Sequence, residues 1–198
     1  HSGSIAIKGK ELKNLSVKER AKLIGYLPQQ HKPVFPFSVF EVVLTGRVSY
    51  IRQVPSKHDE AEANKAIHTV GIEHLKDRIY SEISGGEQQL VMIARILAQK
   101  PEILLPDEPI SHLDYNNQIM VISMLKKLVA RGMTVIAVLH DPNMAFLCGD
   151  EFIYVHRSVV HKVNEKKPWQ HPLTAEIFHN NIQFLEHSDT CVFIPQFS

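Results

Sequence analysis

Three short apolar runs, each stopped abruptly by polar residues, constrain this chain more than any other feature. Leu23-Ile24-Gly25-Tyr26-Leu27-Pro28 ends at Gln29, Glu102-Ile103-Leu104-Leu105-Pro106 ends at Asp107-Glu108, and Met133 to Leu139 ends at His140-Asp141-Pro142. Runs with no polar face belong to strands buried on both sides, as in a mainly parallel sheet covered by helices. The sequence between them has helical spacing. Val39, Phe40, Val42, Val43 and Leu44 follow a cap at Ser38 and close near Gly46. Lys57 to Val70 predicts a second helix with Gly71 as its C-cap, and Tyr115 to Arg131 an amphipathic one stopped by Gly132. Asn143 to Cys148 continues as a helix, and Phe152 to Val155 and Val159 to Val163 read as two final strands. Near the start, Ser4 to Ile7 predicts a short strand with a Gly9 turn, and Leu15 to Arg20 a helical turn with Ser16 as cap. The expected fold class is α/β.

The segment Ser84-Gly85-Gly86-Glu87-Gln88 opens the next expected helix after Lys57 to Val70. Ser84 is a good N-cap, and Glu87 three residues on completes a capping box. Leu90, Val91, Ile93, Ala94, Leu97 and Ala98 then recur at helical spacing, so both glycines sit at a helix N-terminus. Uncovered amides and the positive end of the helix dipole make that position receptive to phosphate. A well-capped helix with two flexible glycines would read the same way.

Composition narrows the partners. With 22 basic and 21 acidic residues in 198, the formal charge of +1 creates no global field toward nucleic acid or an anionic membrane. Cys148 and Cys191 make no metal or disulfide pattern, and a reducing compartment is the simplest setting. No apolar run approaches the length needed to span a bilayer, so a link to a membrane would run through a partner.

In open parallel sheets, ligand groups gather at the carboxyl ends of the strands. Adjacent carboxylates there suit metal-nucleotide chemistry: Asp107 can hold Mg²⁺ through water while Glu108 polarises an attacking water. A lone Asp-Glu pair is more often an ordinary loop, and His140 also fits a hydrogen-bonded core histidine. The order of features separates these readings: Gln29 after a strand, Ser84 to Gln88, Asp107-Glu108-Pro109, Ser111-His112-Leu113-Asp114, then His140.

In that order the chain resembles the nucleotide-binding subunit of ATP-binding-cassette transporters, over nearly its whole length. The resemblance implies that Gln29 is the Q-loop glutamine, touching Mg²⁺ and the attacking water. It makes Ser84, Gly85, Gly86, Glu87 and Gln88 the signature that caps the γ-phosphate held by the opposite subunit. Asp107 and Glu108 become the Walker B aspartate and catalytic glutamate, Ser111 to Asp114 the D-loop, and His140 the switch histidine. The implied fold is the P-loop NTPase-like cassette core, one domain over residues 1–198 with a helical subdomain at 38–100. ATP and Mg²⁺ are the implied ligands. The implied partners are a second copy in a head-to-tail dimer, transmembrane permease subunits and, indirectly, a substrate-binding protein, at the cytoplasmic face of the plasma membrane; nucleic acid is not expected.

Val43-Leu44-Thr45-Gly46-Arg47-Val48-Ser49-Tyr50 resembles the Gly-Arg segment of importers for ferric siderophores, haem or cobalamin. The alternative for it is a helix C-cap followed by a basic loop. Two other functions remain: a non-catalytic subunit that only docks on a permease, and a soluble cassette ATPase acting on nucleic acid or ribosomes.

The phosphate-cradling Gly-x-x-x-x-Gly-Lys-[Ser/Thr] does not occur. The family places it upstream of the strand resembling Ser4 to Ile7. The expectation is therefore a core lacking the N-terminal β layer and P-loop, by truncation or degeneration, that binds and hydrolyses ATP poorly as it stands. Pro106 is a further departure, removing a backbone donor from an expected central strand. The Arg157-Ser158 turn lacks the usual glycine.

Overall fold

The computed structural model describes residues 3–29, 35–165, 167–178, 182–187 and 190–195. They fall into two compact units, residues 1–138 and 139–198. Among them no helix is long and apolar enough to cross a membrane.

The first unit begins with a hairpin, β1 (Ala6–Ile7) and β2 (Lys10–Glu11), whose turn residues Lys8 and Gly9 both have positive φ. This is the backbone twist that two-residue hairpins favour. Helix α1 (Val17–Leu23) starts at Ser16 with a closed capping box and runs straight into β3 (Ile24–Leu27). Then come α2 (Val39–Leu44), a 3₁₀ turn at Thr45–Arg47, α3 (Lys57–Val70) and α4 (Gly85–Ala98). Each of the three helices opens at a serine, Ser38, Ser56 or Ser84, with a reciprocal bond to an acidic residue three positions on. Gly71 ends α3 in the left-handed conformation, as its position after the last apolar residue predicts. Val39, Val43, Ala63, Ile67, Val91, Ile93 and Ala94 are buried and form the centre of this helical packing.

β4 (Ile103–Pro106) pairs in parallel with β3, Leu27 opposite Pro106. Helix α5 (Tyr115–Ala130) returns the chain to β5 (Thr134–Val135), which pairs in parallel with the other edge of β4. The strand expected over Met133 to Leu139 is thus shorter in regular form. Pairing resumes at a single bridge, Asp107 to Val138, in unchanged register. The gap flanks Pro106, whose carbonyl accepts from Val138 N (3.0 Å) but which has no N–H to return. Asp107 keeps its place at the strand end, where its amide bonds Leu27 O at 2.9 Å.

The second unit holds α6 (Pro142–Cys148), the antiparallel hairpin of β6 (Phe152–His156) and β7 (Val159–Val163), α7 (Pro172–Ile177), and the hairpin of β8 (Ile182–His187) and β9 (Thr190–Pro195). Arg157 and Ser158 supply the two positive φ angles of the β6–β7 turn without glycine. Trp169, Cys191 and Phe193 form its buried cluster, with Phe146 and Phe178 packed against them. Asn143 docks α6 on β9, its Oδ1 accepting from Phe193 N at 2.7 Å. Glu186 accepts from Lys167 Nζ (2.6 Å), Trp169 Nε1 (2.8 Å) and Gln170 Nε2 (3.1 Å), which hold its carboxyl down at about 2.

Candidate functional site

Parallel pairing of β3 and β4 in register sets their carboxyl ends side by side, and this brings three predicted residues together. Gln29 Nε2 donates to Glu108 Oε2 at 2.7 Å. One step down the strands, Tyr26 Oη donates to Asp107 Oδ2 at 3.0 Å, and this bond raises the tyrosine's pKa. Tyr26 belongs to the site without having been anticipated from the sequence. The strand period carries the signal: Tyr26 pairs with Leu105, two residues before Asp107, so Tyr26 and Asp107 share a face of neighbouring strands.

Glu108 has a φ of +47° and His112 a φ of +63°. Non-glycine residues in this region are strained, and such strain gathers at functional positions. The turn between them is tied: Ser111 Oγ donates to Glu108 O (2.9 Å), and Glu108 N to Val138 O (3.0 Å). Asp114 closes the segment as N-cap of α5, accepting from Asn117 N at 2.9 Å.

At the start of α4, Ser84 Oγ and Glu87 close the expected box: Glu87 Oε2 accepts from Ser84 N (2.8 Å) and Ser84 Oγ (2.7 Å). These bonds hold the Glu87 carboxyl below its usual range. Gln88 Nε2 donates to Ile83 O at 3.1 Å. Ser84 and Gly85 are exposed while Gly86 is buried. His140 is exposed in the second unit, immediately before Asp141, the N-cap of α6.

The Gly46-Arg47 pair is no basic surface loop. Arg47 is 2% exposed; its Nε bonds Asp59 Oδ1 at 3.1 Å and its Nη1 bonds Ala98 O at 2.8 Å. The guanidinium also lies 3.8 Å from the centre of the Tyr50 ring. Gly46 sits so close to α4 that a Cβ there would meet Arg95 O at 1.9 Å. Together these contacts fasten the turn after α2 to the end of α4.

A glutamine before a serine-capped glycine pair and two carboxylates after it, brought together on adjoining parallel strand ends, are the arrangement that the resemblance to cassette ATPases implies. Comparison with known proteins agrees: the profile of the ABC transporter family matches residues 1–111, and the chain belongs to that family. An uncharacterised ABC transporter ATP-binding protein of Haemophilus influenzae is 39% identical over 176 residues, covering 88% of this chain and 66% of the relative. A hemin import ATP-binding protein, HmuV, of Gloeobacter violaceus is 39% identical over 150 residues, covering 72% and 54%. The chain therefore spans between about half and two thirds of the length of these curated relatives. Among solved structures, an inward-facing putative metal-chelate type ABC transporter aligns with a TM-score of 0.78 and 28% identity, over 88% of this chain and 72% of that one. A dimeric post-hydrolysis cassette, MJ0796 with ADP and Pi, aligns with a TM-score of 0.67 and 28% identity, over 83% and 75%.

Proposed function

We propose that this chain is the ATP-hydrolysing part of an importer for haem or a related metal chelate. The observation that carries the proposal is the 2.7 Å bond from Gln29 to Glu108 beside Asp107, because it joins a water-orienting amide to a base at one strand end. The side-chain oxygens of Asp107, Glu108 and Gln29 form an all-oxygen donor set, which fits Mg²⁺. Asp107 would hold it, with Gln29, through water; when bound, the ion neutralises charge on the β- and γ-phosphates. Glu108 orients a water for attack on the γ-phosphorus and takes up its proton as the bond to the β,γ-bridging oxygen breaks, leaving ADP and phosphate. The resemblance assigns His140 to the γ-phosphate. Ser84 to Gln88 cap the nucleotide of a second copy, a reading supported by the dimeric relative, and Ser111 and Asp114 connect the two halves. The Gly46-Arg47 segment and the relatives named for hemin import favour a metal chelate as cargo, with permease subunits as partners and a substrate-binding protein upstream.

The test is Glu108→Gln in the full-length protein assembled with its permease. Hydrolysis is expected to fall by at least about a hundredfold while ATP-dependent dimerisation persists. Unchanged turnover removes Glu108 from the base role.

A further inference from the structure

Gly85 and Gly86 face the start of α5 and the turn that leads into it. A Cβ on Gly86 would lie 2.1 Å from Asn117 Oδ1, 2.3 Å from its Cγ and 2.8 Å from its Cβ, and one on Gly85 would touch Leu113 Cδ2 at 3.6 Å. Contacts under 3 Å force something to move, and Asn117 is not free to swing away. Its Nδ2 donates to Asp114 Oδ2 at 2.7 Å and its backbone N to Asp114 Oδ1 at 2.9 Å, so both carboxylate oxygens grip one residue. Behind it, Gln118 Nε2 bonds Leu113 O at 3.1 Å, and Ser111 Oγ bonds Glu108 O at 2.9 Å. Short contacts therefore tie the signature to Asn117 and the Asp114 turn, and the same turn runs back along the chain to Ser111, which bonds Glu108.

We infer that Asn117 is a positioning residue: it clamps the start of α4 to the Asp114 turn, so that the signature and the Glu108 carboxylate are held as one piece. Gly86 is needed for that approach as well as for any phosphate contact. A side chain at 86 levers the two helix starts apart. The clamp stands on geometry alone; its effect on hydrolysis rests on the proposed function.

Two experiments separate these. The first is a double-mutant cycle of Gly86→Ala and Asn117→Ala, read by thermal unfolding of this chain. Gly86→Ala is expected to lower the melting temperature by roughly 4–8 °C through overpacking. Asn117→Ala should lower it in the parent and raise it in the Gly86→Ala background, with partial recovery because the Cβ of residue 117 remains. If Gly86→Ala does not fold, recovery of folded protein in the double variant carries the same information. Additive losses overturn the clamp. The second is ATP turnover by the assembled full-length protein carrying Asn117→Asp, which keeps the side-chain size but sets a carboxylate against Asp114. Turnover well below the melting temperature should fall about ten- to a hundredfold with ATP affinity unchanged; parent-like turnover overturns the positioning role. A parent assembly that hydrolyses no ATP counts against the proposed function, while the unfolding cycle still decides the clamp.

Discussion

The helical segment of residues 38–100 and the sheet edge that carries Gln29, Asp107 and Glu108 solve different problems. In the first, every helix has its serine cap closed and its apolar stripe covered, down to Ile67 at 1% exposure. In the second, Leu27 and Leu104 are buried on one face, whereas on the other Tyr26, Ile136 and Val138 are each more than half exposed. Its turn residues Glu108 and His112 are strained besides. Burial and satisfied caps make stability; accessible polar groups held in an unfavourable backbone make a site ready to act on a ligand. The Arg47–Asp59 pair belongs to the first kind, and the Gln29–Glu108 pair to the second.

The largest expected loss from the helical side follows Arg47→Met. It leaves Asp59 Oδ1 and the Ala98 carbonyl without their donor in a buried setting, while Ser56 still bonds Asp59 Oδ2, a change that costs about 3 kcal/mol. Chemical denaturation measures it, and a loss under about 1 kcal/mol would place Arg47 with the surface residues. A paired truncation tests the contrast itself. Ile67→Ala should cost about 2–5 kcal/mol, and Ile136→Ala, at 53% exposure, well under half as much. Equal losses would mean that the exposed face is covered in solution.

Acid titration should reach the helical segment through Asp59. Bonds from the Ser56 side chain and backbone, and then from Arg47, hold its carboxyl at about 2 against an ordinary 3.8. A depressed carboxylate contributes stability that is whole above its unfolded value and is lost as pH falls through its folded one. The contribution should therefore fade between about pH 4 and pH 2. Asp59→Asn flattens the pH dependence of unfolding in that window; an unaltered slope would show that the carboxyl is not held there.

The legible parts of this molecule are those where one residue decides a local structure. Ser38 and Ser84 each stand before a helical stripe, and Gly71 follows one, so caps and helix limits could be read directly. Gln29, Asp107 and Glu108 were readable because apolar runs end in them. Tyr26 was not, because its bond to Asp107 depends on which strands pair and in what register. Arg47 likewise reads as a surface cation until Asp59 and Ala98, 12 and 51 residues away, close around it beside the nearby Tyr50. Asn117 depends on two helix starts meeting. The expected strand at Met133 to Leu139 was overextended because periodicity does not register a missing donor on the neighbouring strand at Pro106.

The smallest effect tests whether the strain at the sheet edge is stored or merely tolerated. His112 is exposed and has a φ of +63°. Relief of a left-handed residue by glycine is worth roughly 1–2 kcal/mol, offset by about 0.5–1 kcal/mol for the greater freedom of glycine in the unfolded chain. His112→Gly should therefore stabilise by about 0.5–1 kcal/mol. Glu108→Gly relieves the same kind of strain at +47° while removing the proposed base, so it should gain stability and lose turnover together. If both glycine variants are less stable than the parent, the side chains themselves support the turn, and the conformation of Glu108 needs no functional explanation. Gains in both, with turnover lost only at Glu108, would mean that the backbone is held against its preference by its bonds to Ser111 and Val138, which keep that carboxylate where Gln29 can reach it.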